Sequence, residues 1–141
     1  MRSAVSLIFV AVVLLGASSA LALQAPKPPV IREPFTPLPC PPNPTTTIAM
    51  EGCYEKQILA TDRQINSLVR GIFNRLGSPA RPGFVTGELA WERYRTASCT
   101  AEASIYAGGT AEPVAFAACE VARNRTHLTD LKQLLKSVGV H

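Results

Sequence analysis

The sequence predicts an all-α fold: a small disulfide-stapled three-helix bundle, built from a long first helix and a helical hairpin, after a signal peptide and a proline-rich lead. Three observations carry that prediction. Apolar residues recur at three- and four-residue spacing in three stretches, and no stretch alternates as a strand does. Glycine and proline separate the stretches, at Gly77-Ser78-Pro79 and at Gly108-Gly109. Four cysteines, an even set, follow an export-type leader, and disulfides are the default use of such a set.

The leader comes first. Arg2 precedes an apolar run from Ala4 to Gly16, roughly thirteen residues, where a membrane-spanning helix needs about 20. Ala20-Leu21-Ala22 supplies small residues where a signal peptidase reads. Cleavage is expected after Ala22, with Ala20 as the alternative site and an uncleaved anchor as the alternative fate. No later stretch could span a membrane, so the expected location is secreted or periplasmic. Removing residues 1–22 leaves 13 basic and 10 acidic residues. That mild excess lacks the concentrated positive face of a nucleic-acid binder. The signs instead follow the helices, with Glu51 and Glu55 early and Arg70 and Arg75 late in one, Glu112 and Glu120 early and Lys132 and Lys136 late in another. This order complements the helix dipoles. Lys56, Arg63 and Arg70 lie seven apart and read as a solvated face.

Residues 23–47 form the lead. Nine of the twelve prolines fall there, which favours extended geometry and forbids a regular helix. The lead reads as a stalk or tether mobile up to about Leu38, or alternatively as a strap held over the domain by Cys40.

The helical domain spans residues 48–138. Helix one is expected from about Thr46 to Leu76, with Ile58, Ile65, Val69, Ile72 and Phe73 among its apolar positions and a separate first turn before Cys53, because Gly52 weakens a helix. A loop from Ser78 to about Gly83 follows. Helix two is expected from about Val85 to Tyr106, with Leu89, Trp91, Tyr94, Cys99, Ile105 and Tyr106 as its contacts. Helix three is expected from about Ala111 to Val138, N-capped by Thr110, with Pro113 tolerated in its first turn and Gly139 as its stop. A bundle of this size, rich in alanine, needs staples. Cys40, Cys53, Cys99 and Cys119 allow three pairings. Cys40–Cys53 with Cys99–Cys119 is favoured, the first pinning the lead to helix one and the second tying helix two to helix three.

Catalytic and cofactor chemistry has little to work with. The cysteine spacings supply neither a C-x-x-C redox pair nor a clustered zinc site, and no cofactor is implied. His127 and His141 are the only histidines, and no nucleophile-elbow motif accompanies them. His127 reads as a surface or boundary residue. Glu88 and Glu92, one helical turn apart, could in principle act as acid and base, but glutamates on an exposed helix face are far commoner. The chain therefore reads as a binding protein, not an enzyme.

One stretch is specific. Trp91-Glu92-Arg93-Tyr94-Arg95-Thr96-Ala97-Ser98-Cys99 has the form W-x-x-[FY]-R-x-x-x-C, and Asp62-Arg63-Gln64-Ile65-Asn66 the form D-x-x-[LI]-N. Cys40 and Cys53 precede them; Gly108-Gly109 and Cys119 follow. This order resembles the LprI-like lysozyme inhibitors, exported bacterial proteins, over about residues 40–136. Two positions depart from the family pattern: Val69 stands where an aromatic is frequent, and Asn124 and His127 stand where threonine and arginine are common. The resemblance implies a secreted or periplasmic helical domain that inhibits c-type lysozyme.

The motif residues also have a physical reading. Trp91, Arg95 and Cys99 are four apart and line one helical face, as do Asp62 and Asn66 on helix one. Arg95 is expected to pair with Asp62, with Trp91 packed over the contact, as a structural clamp. Target binding would then fall to loops: the turn from Tyr106 to Glu112, containing Gly108, Gly109 and Thr110, or the Ser78–Gly83 loop carrying Arg81. Candidate partners are c-type lysozyme or another envelope protein, the latter making the chain a cell-envelope interaction module without lysozyme inhibition.

Overall fold

The structure is a computed structural model that describes residues 25–139. The expected signal peptide, its cleavage site and His141 lie outside the described residues.

Among the described residues there are three helices, α1 (Thr47–Arg75), α2 (Arg81–Ala103) and α3 (Glu112–Ser137), with a short 3₁₀ turn at Ser104–Tyr106. The Thr46 hydroxyl caps α1 by accepting the Ala49 N–H at 3.2 Å. No break precedes Cys53, and α1 runs unbroken through Gly52. The reason for the glycine is outside the helix. A Cβ at Gly52 would stand 2.6 Å from the Pro39 carbonyl oxygen and 2.7 Å from that of Leu38. The lead presses on α1 there, and only glycine leaves it room.

Helix α2 begins at Arg81, four residues before the expected Val85, because Pro82 fits a first turn that needs no N–H. The connection between α1 and α2 is residues 76–80, in place of the expected Ser78–Gly83 loop. Thr110 is not the cap of α3. That position belongs to Ala111, which makes no side-chain cap bond, and the Glu112 carboxylate accepts the Gly108 N–H at 2.9 Å instead. Gly108 has φ of 77°, the left-handed conformation glycine tolerates best.

Helix α3 packs against both α1 and α2, while α1 and α2 scarcely touch each other. Ile65, Val69 and Ile72 of α1 meet Leu128 and Leu131 of α3 in one core cluster, and Ile58 meets Ala117 and Val121 in a second. Helix α2 buries only Arg95, Cys99 and Ala103. Leu89, Tyr94, Ile105 and Tyr106, expected as its contacts, are exposed, because α2 has a single helical neighbour and so a narrow inner face.

The gap between α1 and α2 is filled by the lead. From Ile31 to Pro37 it is neither helix nor strand and bends at Pro34 and Phe35, with Ile31, Glu33, Phe35 and Pro37 half-buried and Arg32, Pro34 and Thr36 exposed. Alternate side chains thus face the helices and solvent, as in a segment lying along a surface. Ile31 packs into the first core cluster and Phe35 against the second. The Asn66 amide exchanges two hydrogen bonds with the Ile31 backbone, at 2.9 and 3.0 Å, and Glu55 accepts the Leu38 N–H at 2.6 Å. The lead is thus a strap from Ile31 onward, and the expectation of a mobile tether up to Leu38 fails for this stretch. Disulfides join Cys40 to Cys53 and Cys99 to Cys119, the favoured pairing. No helix among the described residues is long and apolar enough to cross a membrane.

Candidate functional site

Arg95 sits at the centre of the molecule, 2 % exposed, where α1, α2, α3 and the strap converge. Its Nη1 donates to Asp62 Oδ1 at 3.0 Å and to Asn124 Oδ1 at 3.1 Å, and its Nη2 donates to Glu33 Oε1 at 2.6 Å. Glu120 Oε1 lies 3.4 Å from Nε. Asn124 closes the network by donating to Thr61 Oγ1 and Asp62 Oδ1. The Trp91 ring lies 5.6 Å from the guanidinium carbon. The expected Arg95–Asp62 pair is present, enlarged by partners from two further elements.

One guanidinium cannot neutralise three carboxylates in a dry site. Burial pushes Asp62 up to about 6, against the pull of Arg95, and Glu33 pushes it further. Burial likewise pushes Glu120 up to about 7, again opposed by Arg95. Burial alone would lower the Arg95 guanidinium, but Glu120 and Asp62 outweigh it and hold it above its usual range. The arrangement is a clamp that locks strap to bundle. Glu120 is therefore not a surface charge complementing a helix dipole.

Beside the clamp, His127 stacks on Trp91 with ring centroids 3.8 Å apart and planes 12° apart. Its Nε2 lies 2.9 Å from Glu88 Oε2. His127 is buried, more deeply than the surface or boundary placement expected of it, because α3 turns it inward against α2. Glu88 serves this histidine rather than standing free with Glu92. Tyr94, the remaining motif aromatic, is exposed, with the Arg123 guanidinium carbon 5.9 Å from its ring.

The candidate binding loops differ in character. Arg81 turns back on α1: its Nε donates to the carbonyls of Phe73 at 3.2 Å and Leu76 at 3.0 Å, and its guanidinium lies over the Phe73 ring. It closes the C-terminus of α1, where a cation meets the negative end of the helix dipole. The other loop is a tip. Ile105 is 77 % and Tyr106 50 % exposed, and Gly108, Gly109 and Thr110 are exposed beside them. The tip is internally ordered, since Gly109 N–H donates to Tyr106 and Glu112 N–H to Gly109. Cys99–Cys119 braces its base.

The family model described as Lysozyme inhibitor LprI matches residues 40–131. The chain belongs to this LprI family. No curated protein and no solved structure matches it significantly. The LprI match begins at Cys40, so the strap residue Glu33, which completes the clamp, lies outside it.

In this LprI chain, the D-x-x-[LI]-N and W-x-x-[FY]-R-x-x-x-C residues come together. Asp62 and Arg95 pair, Asn66 holds the strap, Trp91 covers the arginine and Cys99 anchors α3. The sequence reading missed Glu33, Asn124 and Glu120 as clamp members and Gly52 as the strap's seat. Asn124 and Glu120 had a signal: they lie four apart on α3, on the face of Ala117 and Val121. A charged residue on an apolar face needs a partner. Glu33 carried no comparable signal, since a lone glutamate among prolines reads as solvated.

Proposed function

We propose that this LprI-family chain is an extracytoplasmic, non-catalytic binding protein that inhibits c-type lysozyme by inserting the Tyr106–Glu112 tip into its cleft. The observation that carries the reading is the exposure of Ile105 and Tyr106 on a disulfide-braced, hydrogen-bonded turn. A pre-ordered protrusion loses little conformational entropy on binding, which is what a cleft-filling inhibitor requires. An aromatic ring suits a cleft that holds sugar rings between two carboxylates. Arg81 is the weaker candidate contact, because its Nε already serves α1.

The test is a titration of oxidised residues 23–141 into c-type lysozyme clearing a cell-wall suspension. Dose-dependent inhibition, lost on reduction and weakened at least tenfold by Tyr106→Ala, is the expected result. Full inhibition by Tyr106→Ala would remove the tip from the mechanism. A second reading, an envelope interaction module with a different partner, is favoured by the net positive charge, which gives poor long-range steering toward a basic lysozyme. A folded protein that leaves lysozyme untouched at large molar excess would select it.

A further inference from the structure

We infer that the open end of the α1–α2 gap is a docking groove for a partner-protein segment that carries an arginine or lysine between apolar side chains. The inference deepens the reading of this chain as a binding protein and rests on it.

The groove is where the strap leaves the gap. Beyond Phe35 the strap veers toward Cys40, and a cleft of about 370 Å³ stays open between the helices. Its floor is apolar, formed by Phe35, Ile58, Ala103 and Phe116. Its rim carries Glu51, Glu55 and Glu112, and no basic residue among the described residues lines it. In a chain with more basic than acidic residues, this is a local reversal of sign.

The rim glutamates are not all explained by the fold. Glu112 lies in the first turn of α3 and holds Gly108. Glu55 holds the Leu38 N–H. Glu51 lies past the first turn of α1, beyond the reach of the helix dipole, and it has no hydrogen-bond or ion-pair partner among the described residues. Burial and the neighbouring Glu55 both push its carboxyl up. A cation placed between Glu51 and Glu55 would relieve that repulsion, while its apolar neighbours covered Phe35 and Phe116. The strap already shows a binding mode, a non-helical segment laid between α1 and α2 with alternate side chains inward. The occupant would continue along the same gap. The groove also adjoins the exposed tip, since Thr100 and Ala103 of its wall lead directly into Ile105 and Tyr106. A basic partner would thus meet acidic rim and tip together.

The probe is a set of acetylated, amidated tripeptides, Leu-Arg-Leu, Leu-Gln-Leu and Leu-Glu-Leu, titrated into the ¹⁵N-labelled oxidised protein. The expected result is saturable shifts of the Glu51, Glu55, Thr100 and Phe116 amides with Leu-Arg-Leu. Leu-Gln-Leu should bind at least fivefold more weakly, and Leu-Glu-Leu should give no saturation. Glu51→Gln should weaken the arginine peptide several-fold, and Thr100→Arg, on an exposed face, should abolish its binding with the melting temperature retained. Equal affinity for the three peptides, or shifts confined to other surfaces, would overturn the proposal. The same variants separate it from the lysozyme reading. Peptide binding with no lysozyme inhibition upholds the groove and discards that target. Lysozyme inhibition unchanged by Thr100→Arg, with no peptide shifts, discards the groove and keeps the target.

Discussion

Arg95 Nη2 lies 2.6 Å from Glu33 Oε1, a contact between residues 62 positions apart that binds the strap to the second helix. The same guanidinium holds Asp62 of α1 and, through Nε, faces Glu120 of α3. Four segments therefore depend on one side chain. Removing it leaves three carboxylates in a site without a counter-charge, which costs far more than losing a surface ion pair.

Arg95→Ala should destabilise the chain by about 3–5 kcal/mol, the range for breaking a buried ion pair. Arg95→Lys keeps the charge but loses the planar fork that reaches Asp62, Asn124 and Glu33 together, and should fall between the two. Denaturant unfolding of the three proteins checks the order. A stable Arg95→Ala protein that no longer bound its target would make Arg95 a contact residue instead of a clamp.

The clamp gives stability an unusual pH dependence. Asp62 and Glu120 hold their protons more tightly in the fold, at about 6 and about 7, than their ordinary values of 3.8 and 4.5. Their contribution is fully present below the ordinary values and is lost as pH rises through the raised ones. Glu120→Gln, which keeps the shape and removes the titration, should therefore gain on wild type by about 3 kcal/mol between about pH 4.5 and pH 7.5. Urea midpoints at the two pH values measure this. A constant difference would place the titration elsewhere.

Gly52→Ala should push the strap off α1, since the added methyl would meet two backbone carbonyls that cannot rotate away. Alanine also favours the helix by about 1 kcal/mol, so global stability is a blunt readout. Hydrogen exchange is sharper. The Ile31 and Leu38 amides, held by Asn66 and Glu55, should exchange at least tenfold faster while the α3 amides keep their protection.

Replacing Cys99 and Cys119 together by alanine should cost about 3 kcal/mol in the chain-entropy account of a crosslink of this span, separated by 20 residues. It should also loosen the tip more than the rest. Thermal melts and the exchange rate of the Gly109 amide, which donates to Tyr106, read the two effects separately.

The helices were legible because they rest on local rules, apolar spacing and breakers, while the even set of cysteines left three pairings open, of which the favoured one formed. The Arg95–Asp62 pair was legible from four-residue spacing on two helices. Three features were not. The exposure of Tyr94, Ile105 and Tyr106 depends on α2 having one helical neighbour, which periodicity does not reveal. The burial of His127 depends on Trp91 and Glu88 meeting it from another helix. The strap depends on Asn66 and Arg95 offering polar anchors to a segment that has no periodicity of its own.

The strap also orders events in time. Ile31 and Glu33 are synthesised before the helices that receive them, yet their partners Asn66 and Arg95 lie 35 and 62 residues later. Contacts of such separation form only after their loop-closure entropy has been offset, so local helix and hairpin contacts should precede them. The part of the folded chain made first is thus the part that docks last. Before it docks, Arg95, Asp62 and Glu120 would stay hydrated, because the strap that covers them is the last element to arrive. On that order, a chain whose strap had not yet docked would expose a longer version of the cleft that the folded protein keeps at one end.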